Sequence, residues 1–141
     1  MSEIKGSIAI DTGVLVEYIE DSALGKKFKE KILENDTFEE FHISPLVYTE
    51  ILYIYCRSIG FDQAKLTVQS FLKDFIIADE LQLRNEAAKL KCEYAISIAD
   101  CYSIALAISK NLSLYMKKEA ELEKALIKAK FPIEIIFIDN L

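Results

Sequence analysis

The sequence SIAIDTGVLV, residues 7–16, is apolar along nearly its whole length and carries one charge, on Asp11. A short apolar run of this kind predicts a buried strand over residues 7–10, and the apolar residues at 14–19 predict a helical segment after it. A carboxylate buried between the two is unfavourable unless it is paired or hydrogen-bonded. Asp11 therefore needs a partner, which is either the set of free N–H groups at a helix N-terminus or a cation.

The composition predicts one globular domain over residues 1–141, because 52% of the residues are hydrophobic and 28% are charged. No apolar run approaches the roughly 20 residues that span a bilayer, and the first residues lack the features of a secretory signal. We therefore expect a cytoplasmic protein with no membrane segment. The three cysteines lack CxxC spacing, which argues against a zinc knuckle and a disulfide framework. With a net charge of −6, nucleic acid could bind only where local cations reverse the sign of the field.

Strand and helix signals alternate along the rest of the chain. Further strands are predicted at 41–44, 75–77, 112–116 and 133–138. Further helices are predicted at 25–34, 45–58, 62–72, 80–94, 97–109 and 119–130. This order favours the α/β class, as an α/β/α sandwich with a central, mostly parallel sheet of about five strands. In such sheets, functional sites lie outside the carboxyl ends of the strands, where Asp11 is predicted to be.

Two more apolar runs contain a single charge, and in each the charge is an acid. Glu50 lies in LVYTEILYIYC, residues 46–56, and Asp100 lies in AISIADCYSIALAIS, residues 95–109. Neither run contains a lysine or arginine. Asp100 also follows Ser97 at the spacing of a capping box. Asp11 and Asp100 could therefore each serve a helix N-terminus. Glu50 lies within a predicted helix and has no cap to serve, although it could lie on the solvent edge.

Three unpaired acids in a core-rich fold would have raised pKa values unless a cation lay among them. A divalent metal ion would supply that charge. Mg²⁺ and Mn²⁺ prefer carboxylate and water oxygens, whereas a zinc site normally needs His or Cys ligands. Because His42 is the only histidine of the chain, Mg²⁺ or Mn²⁺ is the expected ion.

The order of these acids resembles that of the PIN-domain nucleases, and in particular the compact VapC-type toxins. The segments IAIDTGVLVEYI, ISPLVYTEIL and AISIADCYSIALA are similar to three motifs of that family. The resemblance implies a PIN-like fold and a metal-dependent endoribonuclease that leaves a 5′-phosphate and a 3′-hydroxyl. It assigns the metal-binding and catalytic roles to Asp11, Glu50 and Asp100. Relatives commonly have Thr, any residue and Asp after the fourth strand, where this chain has 117–119, KKE; Glu119 is the best match for the fourth acid and Glu121 the next candidate.

The resemblance also implies partners. These are an RNA substrate, a cognate antitoxin protein and a second copy of the chain, since the predicted helices 46–56 and 62–72 carry more apolar surface than one small core absorbs. The residues of that surface are Tyr53, Ile54, Phe61, Leu66, Val68 and Phe71. Phosphate contacts could come from lysines of the C-terminal third: Lys110, Lys117, Lys118, Lys124, Lys128 and Lys130. For Lys124, Lys128 and Lys130 an ordinary charged helix face is the favoured alternative, so Lys117 and Lys118 are the better candidates.

Two alternatives stay open at this point. The altered fourth motif permits a PIN-like module that binds RNA or protein with weak or no catalysis. The acids could also be helix caps of a purely structural α/β dimer, in which case replacing Asp100 would lower stability by about 0.5–2 kcal/mol.

Overall fold

A five-stranded sheet forms the centre of the computed structural model, which describes residues 6–141. The strands are β1 (Ser7–Ile10), β2 (Glu40–Ile43), β3 (Ile76–Ile77), β4 (Ser113–Met116) and β5 (Ile135–Phe137). Seven helices in this part of the chain flank the sheet: α1 (Thr12–Ile19), α2 (Ala23–Phe28), α3 (Pro45–Ile59), α4 (Phe61–Leu72), α5 (Arg84–Glu93), α6 (Ile98–Lys110) and α7 (Ala120–Lys128). The predicted α/β/α sandwich is confirmed.

The strand order is β3-β2-β1-β4-β5, and every neighbouring pair is parallel. β1 is central, with Ile8 opposite Phe41 of β2 on one side and Ser113 of β4 on the other. The chain moves outward from β1 through β2 to β3, and then returns to the opposite side of β1 as β4. The connections after β1 and β4 therefore leave in opposite directions, which opens a crevice at the carboxyl ends of these two strands.

Burial on both faces explains why the first strand is apolar without alternation. Ile8 and Ile10 belong to a core cluster that α1, α2, α3 and α4 cover, whereas Ala9 belongs to a second cluster on the opposite face. The second cluster contains the apolar face of α6, including Ile104 and Leu106. Successive side chains of a strand point to opposite faces, so a strand between two helical layers buries all of them.

Local signals place the ends of α3. Ser44 Oγ accepts hydrogen bonds from the N–H groups of Leu46 and Val47, at 3.1 and 3.3 Å, and Pro45 occupies the first helical position. At the other end Gly60 has a φ of 86°, a left-handed value that glycine adopts without strain. The predicted helix over 45–58 is thus one residue short at its C-terminus.

Some predicted boundaries are wrong. The predicted helix over 80–94 is divided, because a short 3₁₀ turn over Glu80–Gln82 precedes α5. The predicted helix over 25–34 begins two residues earlier, where Ser22 Oγ accepts from the N–H of Gly25, and continues as a π-helical turn over Lys29–Leu33. The predicted strand over 133–138 is shorter, since only the three residues of β5 pair with β4.

The apolar surface predicted on the third and fourth helices is present in part. Tyr53, Phe61, Leu66 and Phe71 are exposed. Val68, however, is fully buried in the core, so its assignment to that surface is wrong. No helix within residues 6–141 has the length and apolar character needed to cross a membrane.

Candidate active site

Asp11 follows β1 directly and precedes the first turn of α1. Its backbone is extended, with φ −92° and ψ 168°, and its side chain makes no hydrogen bond that caps the helix. The buried carboxylate instead accepts a hydrogen bond of 2.5 Å from Ser103 Oγ of α6. Its N–H donates to the carbonyl of Tyr115 in β4 at 3.0 Å. The helix-cap interpretation of this carboxylate is therefore wrong, and the backbone holds it at the crevice between β1 and β4.

Asp100 lies in the first turn of α6, one helical turn before Ser103. The capping function at this helix belongs to Ser97, whose Oγ accepts from the N–H of Asp100 at 3.0 Å. The Asp100 carboxyl itself is buried and close enough to Asp11 for the two charges to affect one another. Residues three apart share one helix face, so Asp100 and Ser103 both face the end of β1.

One cavity of about 370 Å³ brings together the four acids that the sequence singled out. Asp11 comes from the end of β1, Glu50 from α3, Asp100 from α6 and Glu119 from the connection between β4 and α7. The remaining residues of this acidic cavity are Thr12, Gly13, Val16, Glu17, Ile54, Ser97 and Lys117. Glu121 lies elsewhere, in a separate cavity with Tyr94 and Lys124. Of the two candidates for the fourth acid, Glu119 is the one that faces the other acids.

The acids of this cavity shift one another's pKa values. Burial raises the pKa of Asp11, and the hydrogen bond from Ser103 opposes that shift in part. The pKa of Asp100 rises to about 7, first because the group is buried and second because the charge of Asp11 is close. The pKa of Glu119 is raised by partial removal from water and then by the charge of Asp100. Each shift disfavours the charged carboxylate in the metal-free protein.

No lysine, arginine or histidine of the described chain forms an ion pair with Asp11, Glu50, Asp100 or Glu119. The donor set consists of carboxylate oxygens, the type that Mg²⁺ and Mn²⁺ prefer. The buried Oγ1 atom of Thr12, which lines the same cavity, has no hydrogen-bond partner within the described chain. Among residues 6–141, no group of three or more Asp, Glu, His or Cys side chains is positioned to hold a metal ion. The chemical type of the donor atoms at this site fits a hard divalent cation.

The sequence interpretation missed two residues of this region. Glu17 lines the acidic cavity, where its Oε2 accepts a hydrogen bond of 2.9 Å from Lys117 Nζ. Hydrogen bonds from Ser22 Oγ and from Lys117 lower the pKa of Glu17. Glu17 could have been found from helical spacing, since it lies four residues after Gly13 on one face of α1. Ser103 was also missed, although its spacing of three from Asp100 indicates the same face.

The fold and site together define a class: a parallel α/β/α domain with a carboxylate-lined cavity where the strand order reverses. The family model of the PIN domain matches residues 8–127, so the chain belongs to the PIN-domain family. PIN domains are generally nucleases that use divalent metal ions, so this family supports a hydrolase. No curated protein sequence matches the chain.

Solved structures share the fold at low sequence identity. The VapBC complex of Salmonella typhimurium bound to DNA aligns with a TM-score of 0.71 and 18% identity, covering 94% of this chain and 98% of that one. VapBC2 of Rickettsia felis, bound to a promoter DNA fragment, has a TM-score of 0.69 and 19% identity, with 93% and 98% covered. The protein PAE2754 of Pyrobaculum aerophilum has a TM-score of 0.59 and 19% identity, with 95% and 93% covered. The PIN-like fold predicted from the motifs is thus confirmed.

Proposed function

We propose that this protein is an endoribonuclease that hydrolyses RNA phosphodiester bonds with Mg²⁺ or Mn²⁺ as its cofactor. The observation that carries the proposal is the acidic cavity, in which Asp11, Glu50, Asp100 and Glu119 meet from four separate segments. None of the four has a basic ion-pair partner within residues 6–141. Carboxylates that share one cavity without a basic partner are stabilised in their charged form by a bound cation.

The four acids have different roles in this proposal. Asp11 and Asp100 are the central metal ligands, and Ser103 donates a hydrogen bond to one oxygen of Asp11. Glu119 completes the set directly or through water, and Glu50 either joins it or orients the attacking water. When bound, a divalent ion lowers the pKa of a water molecule and stabilises the charge of the transition state. Hydrolysis breaks the bond between phosphorus and the 3′ oxygen, which leaves a 5′-phosphate and a 3′-hydroxyl.

A toxin role and an antitoxin partner form the second part of the proposal. The Salmonella typhimurium and Rickettsia felis structures to which the chain is similar are VapBC complexes. This likeness supports the proposal that the chain is the toxin of a VapBC-type pair, with a cognate antitoxin whose binding blocks the acidic cavity. We place this activity in the cytoplasm, where an RNA substrate and a cognate antitoxin would both be present.

The experiment that tests the nuclease assignment uses total cellular RNA, because the proposal specifies no target sequence. The protein is incubated with RNA and Mn²⁺ or Mg²⁺, and new 5′-phosphate ends are mapped by sequencing. We expect cleavage that stops with a chelator and with Asp11→Asn. The matched control is Glu121→Gln, which removes the same kind of charge from a different cavity and should cleave normally. Cleavage by Asp11→Asn at the wild-type rate would remove the assignment.

A binding module with weak or no catalysis is the second candidate. Two observations favour it: the fourth motif is altered to 117–119, KKE, and no group of three or more Asp, Glu, His or Cys side chains of the described chain is positioned to hold a metal ion. Calorimetric titration with Mn²⁺ separates the two candidates. An absence of binding at millimolar Mn²⁺ favours the module, and binding that disappears in Asp11→Asn favours the nuclease.

A further inference from the structure

Lys117 is the one basic side chain among the described residues that line the acidic cavity. It follows β4 directly and precedes Glu119 by two residues. Its Nζ donates a hydrogen bond of 2.9 Å to Glu17 Oε2 on α1, 100 residues earlier in the chain. The Lys117 side chain remains 38% exposed, whereas that of Glu17 is 17% exposed. The ammonium group is therefore fixed at the cavity wall and still open to a solute.

Contacts on both sides of Lys117 hold it in this position. Ser22 Oγ donates a hydrogen bond of 2.7 Å to the second carboxylate oxygen of Glu17, so Glu17 is itself anchored. A Cβ atom on Gly13 would lie 3.2 Å from Cβ of Lys117, closer than ordinary packing allows. The missing side chain at Gly13 thus lets α1 and the stem of Lys117 pass close together. A long, flexible lysine is in this way ordered before any substrate arrives.

The negative charge of the molecule indicates a function for the ordered ammonium group of Lys117. The chain has a net charge of −6, and the acidic cavity would repel an RNA phosphate that approached it. An ammonium group carries three N–H donors, and within residues 6–141 Lys117 Nζ has a single protein acceptor, Glu17. The other two N–H donors of Lys117 are free to bind a phosphate oxygen. They lie at the cavity whose acids would otherwise repel that phosphate.

We propose that Lys117 binds a non-bridging oxygen of the RNA phosphate in the acidic cavity, and that Glu17 is the positioning residue for its ammonium group. This inference rests on the proposed endoribonuclease function. A purely structural role for the Lys117–Glu17 ion pair makes a different prediction. Partly exposed ion pairs contribute little, so a structural role would change stability slightly and leave the kinetics and their salt dependence unchanged.

The test measures kcat and KM on an RNA oligonucleotide that contains the main cleavage site mapped in total RNA, with Mn²⁺ and between 50 and 300 mM KCl. Lys117→Met should reduce kcat/KM by about tenfold to a hundredfold, the value of one hydrogen bond from a charged group. It should also reduce the slope of log kcat/KM against log salt by about 0.7, the value of one lost phosphate contact on a single strand. The matched control is Lys31→Met, which removes an exposed lysine from outside the acidic cavity.

Two further variants keep the result interpretable. Lys117→Arg retains the positive charge and should restore most of the activity and the salt slope. Glu17→Gln keeps the charge of Lys117 but removes the ion pair that positions its ammonium group. We therefore expect kcat to fall while KM stays equal or decreases. Far-ultraviolet circular dichroism and thermal unfolding check that each variant is folded.

The outcomes separate this inference from the proposed function. If the wild-type protein cleaves RNA and Lys117→Met matches Lys31→Met in kcat/KM and in salt slope, the inference is overturned and the nuclease assignment stands. If Lys117→Met is unfolded but Lys117→Arg is folded and inactive, the inference is also overturned. If the wild-type protein cleaves no RNA with either metal, the proposed function fails and this inference fails with it.

Discussion

Ser103 Oγ lies 2.5 Å from Asp11 Oδ1, although the two residues are 92 positions apart in the chain. Both side chains are buried, and the hydrogen bond joins α6 to the end of β1. Burial raises the pKa of Asp11, and the Ser103 hydroxyl opposes this shift by donating to the carboxylate. The charge state of the central acid therefore depends on a neutral residue from another layer of the fold.

Removal of this hydroxyl gives the first prediction. Ser103→Ala leaves the buried Asp11 carboxylate without its donor, so we expect a weaker affinity for Mn²⁺ by about tenfold and a loss of about 1–3 kcal/mol of stability. Calorimetric titration and urea unfolding at pH 7.5 measure the two effects. The control is Ser109→Ala, at an exposed position of the same helix, which should change neither. Unchanged affinity in Ser103→Ala would contradict the role given to this bond.

Asp100 gives a prediction about pH in the metal-free protein. Its pKa is about 7 in the folded state and about 3.9 in the unfolded state. Between these values the folded chain holds a proton that the unfolded chain has lost, so stability falls as pH rises from 4 to 7. The slope is at most about 1.4 kcal/mol for each pH unit.

Asp100→Asn should remove the part of the slope that Asp100 contributes, because asparagine does not titrate. We therefore expect the variant to gain stability relative to the wild type between pH 5 and pH 8, measured by urea unfolding with chelator present. A helix-cap role for the Asp100 carboxylate predicts a loss of stability instead. A difference in stability between the variant and the wild type that does not grow with pH over this interval would be inconsistent with the buried, uncompensated carboxyl.

Metal binding should raise the melting temperature of the native protein. At a Mn²⁺ concentration of 100 times Kd, linkage predicts about 2.7 kcal/mol of added stability, which corresponds to roughly 5–10 °C for a chain of this size. Differential scanning fluorimetry measures the shift. Asp11→Asn should show none, whereas Glu121→Gln should shift as the wild type does, since Glu121 lines a separate cavity. Equal shifts in all three proteins would mean that the ion binds elsewhere.

Gly25 is required for the contact between α1 and α2. A Cβ atom at this position would lie 1.9 Å from the carbonyl oxygen of Glu17, so Gly25→Ala forces the two helices apart. We expect a loss of about 1–3 kcal/mol in urea unfolding, despite the higher helix propensity of alanine. Lys26→Ala, at the exposed neighbouring position, should stay within about 0.5 kcal/mol of the wild type. A neutral Gly25→Ala would show that the helices can separate freely.

The exposed residues of α3 and α4 are the proposed interface of a homodimer. Leu66 is 63% exposed on α4, and Phe61 at the start of the same helix is 53% exposed. We expect Leu66→Asp to convert a dimer to a monomer in light scattering, because burying a new charge in an apolar interface is costly. Ile127→Asp is the control, since Ile127 is 86% exposed on α7 and lies outside this surface. A wild-type monomer at micromolar concentration would exclude the dimer.

Much of the fold could be predicted because its signals are local. The cap formed by Ser44, the proline after it and the glycine at position 60 each act within one helical turn. The apolar run 7–10 predicted a strand buried on both faces, since strands in parallel sheets are covered by helices on each side. The lone acids in apolar runs also predicted which carboxylates would share a cavity, although their catalytic roles stay a prediction.

The remainder depends on which segments meet, and no local pattern contains that information. The strand order places β4 beside β1, and so brings Lys117 to Glu17 and Ser103 to Asp11, in each case across about 100 residues. It also places Glu119 in the acidic cavity and Glu121 in another, a separation that the resemblance to the family motif favoured but that local propensity does not contain. Local propensities act over a few residues, whereas these contacts follow from how complete layers pack on the sheet.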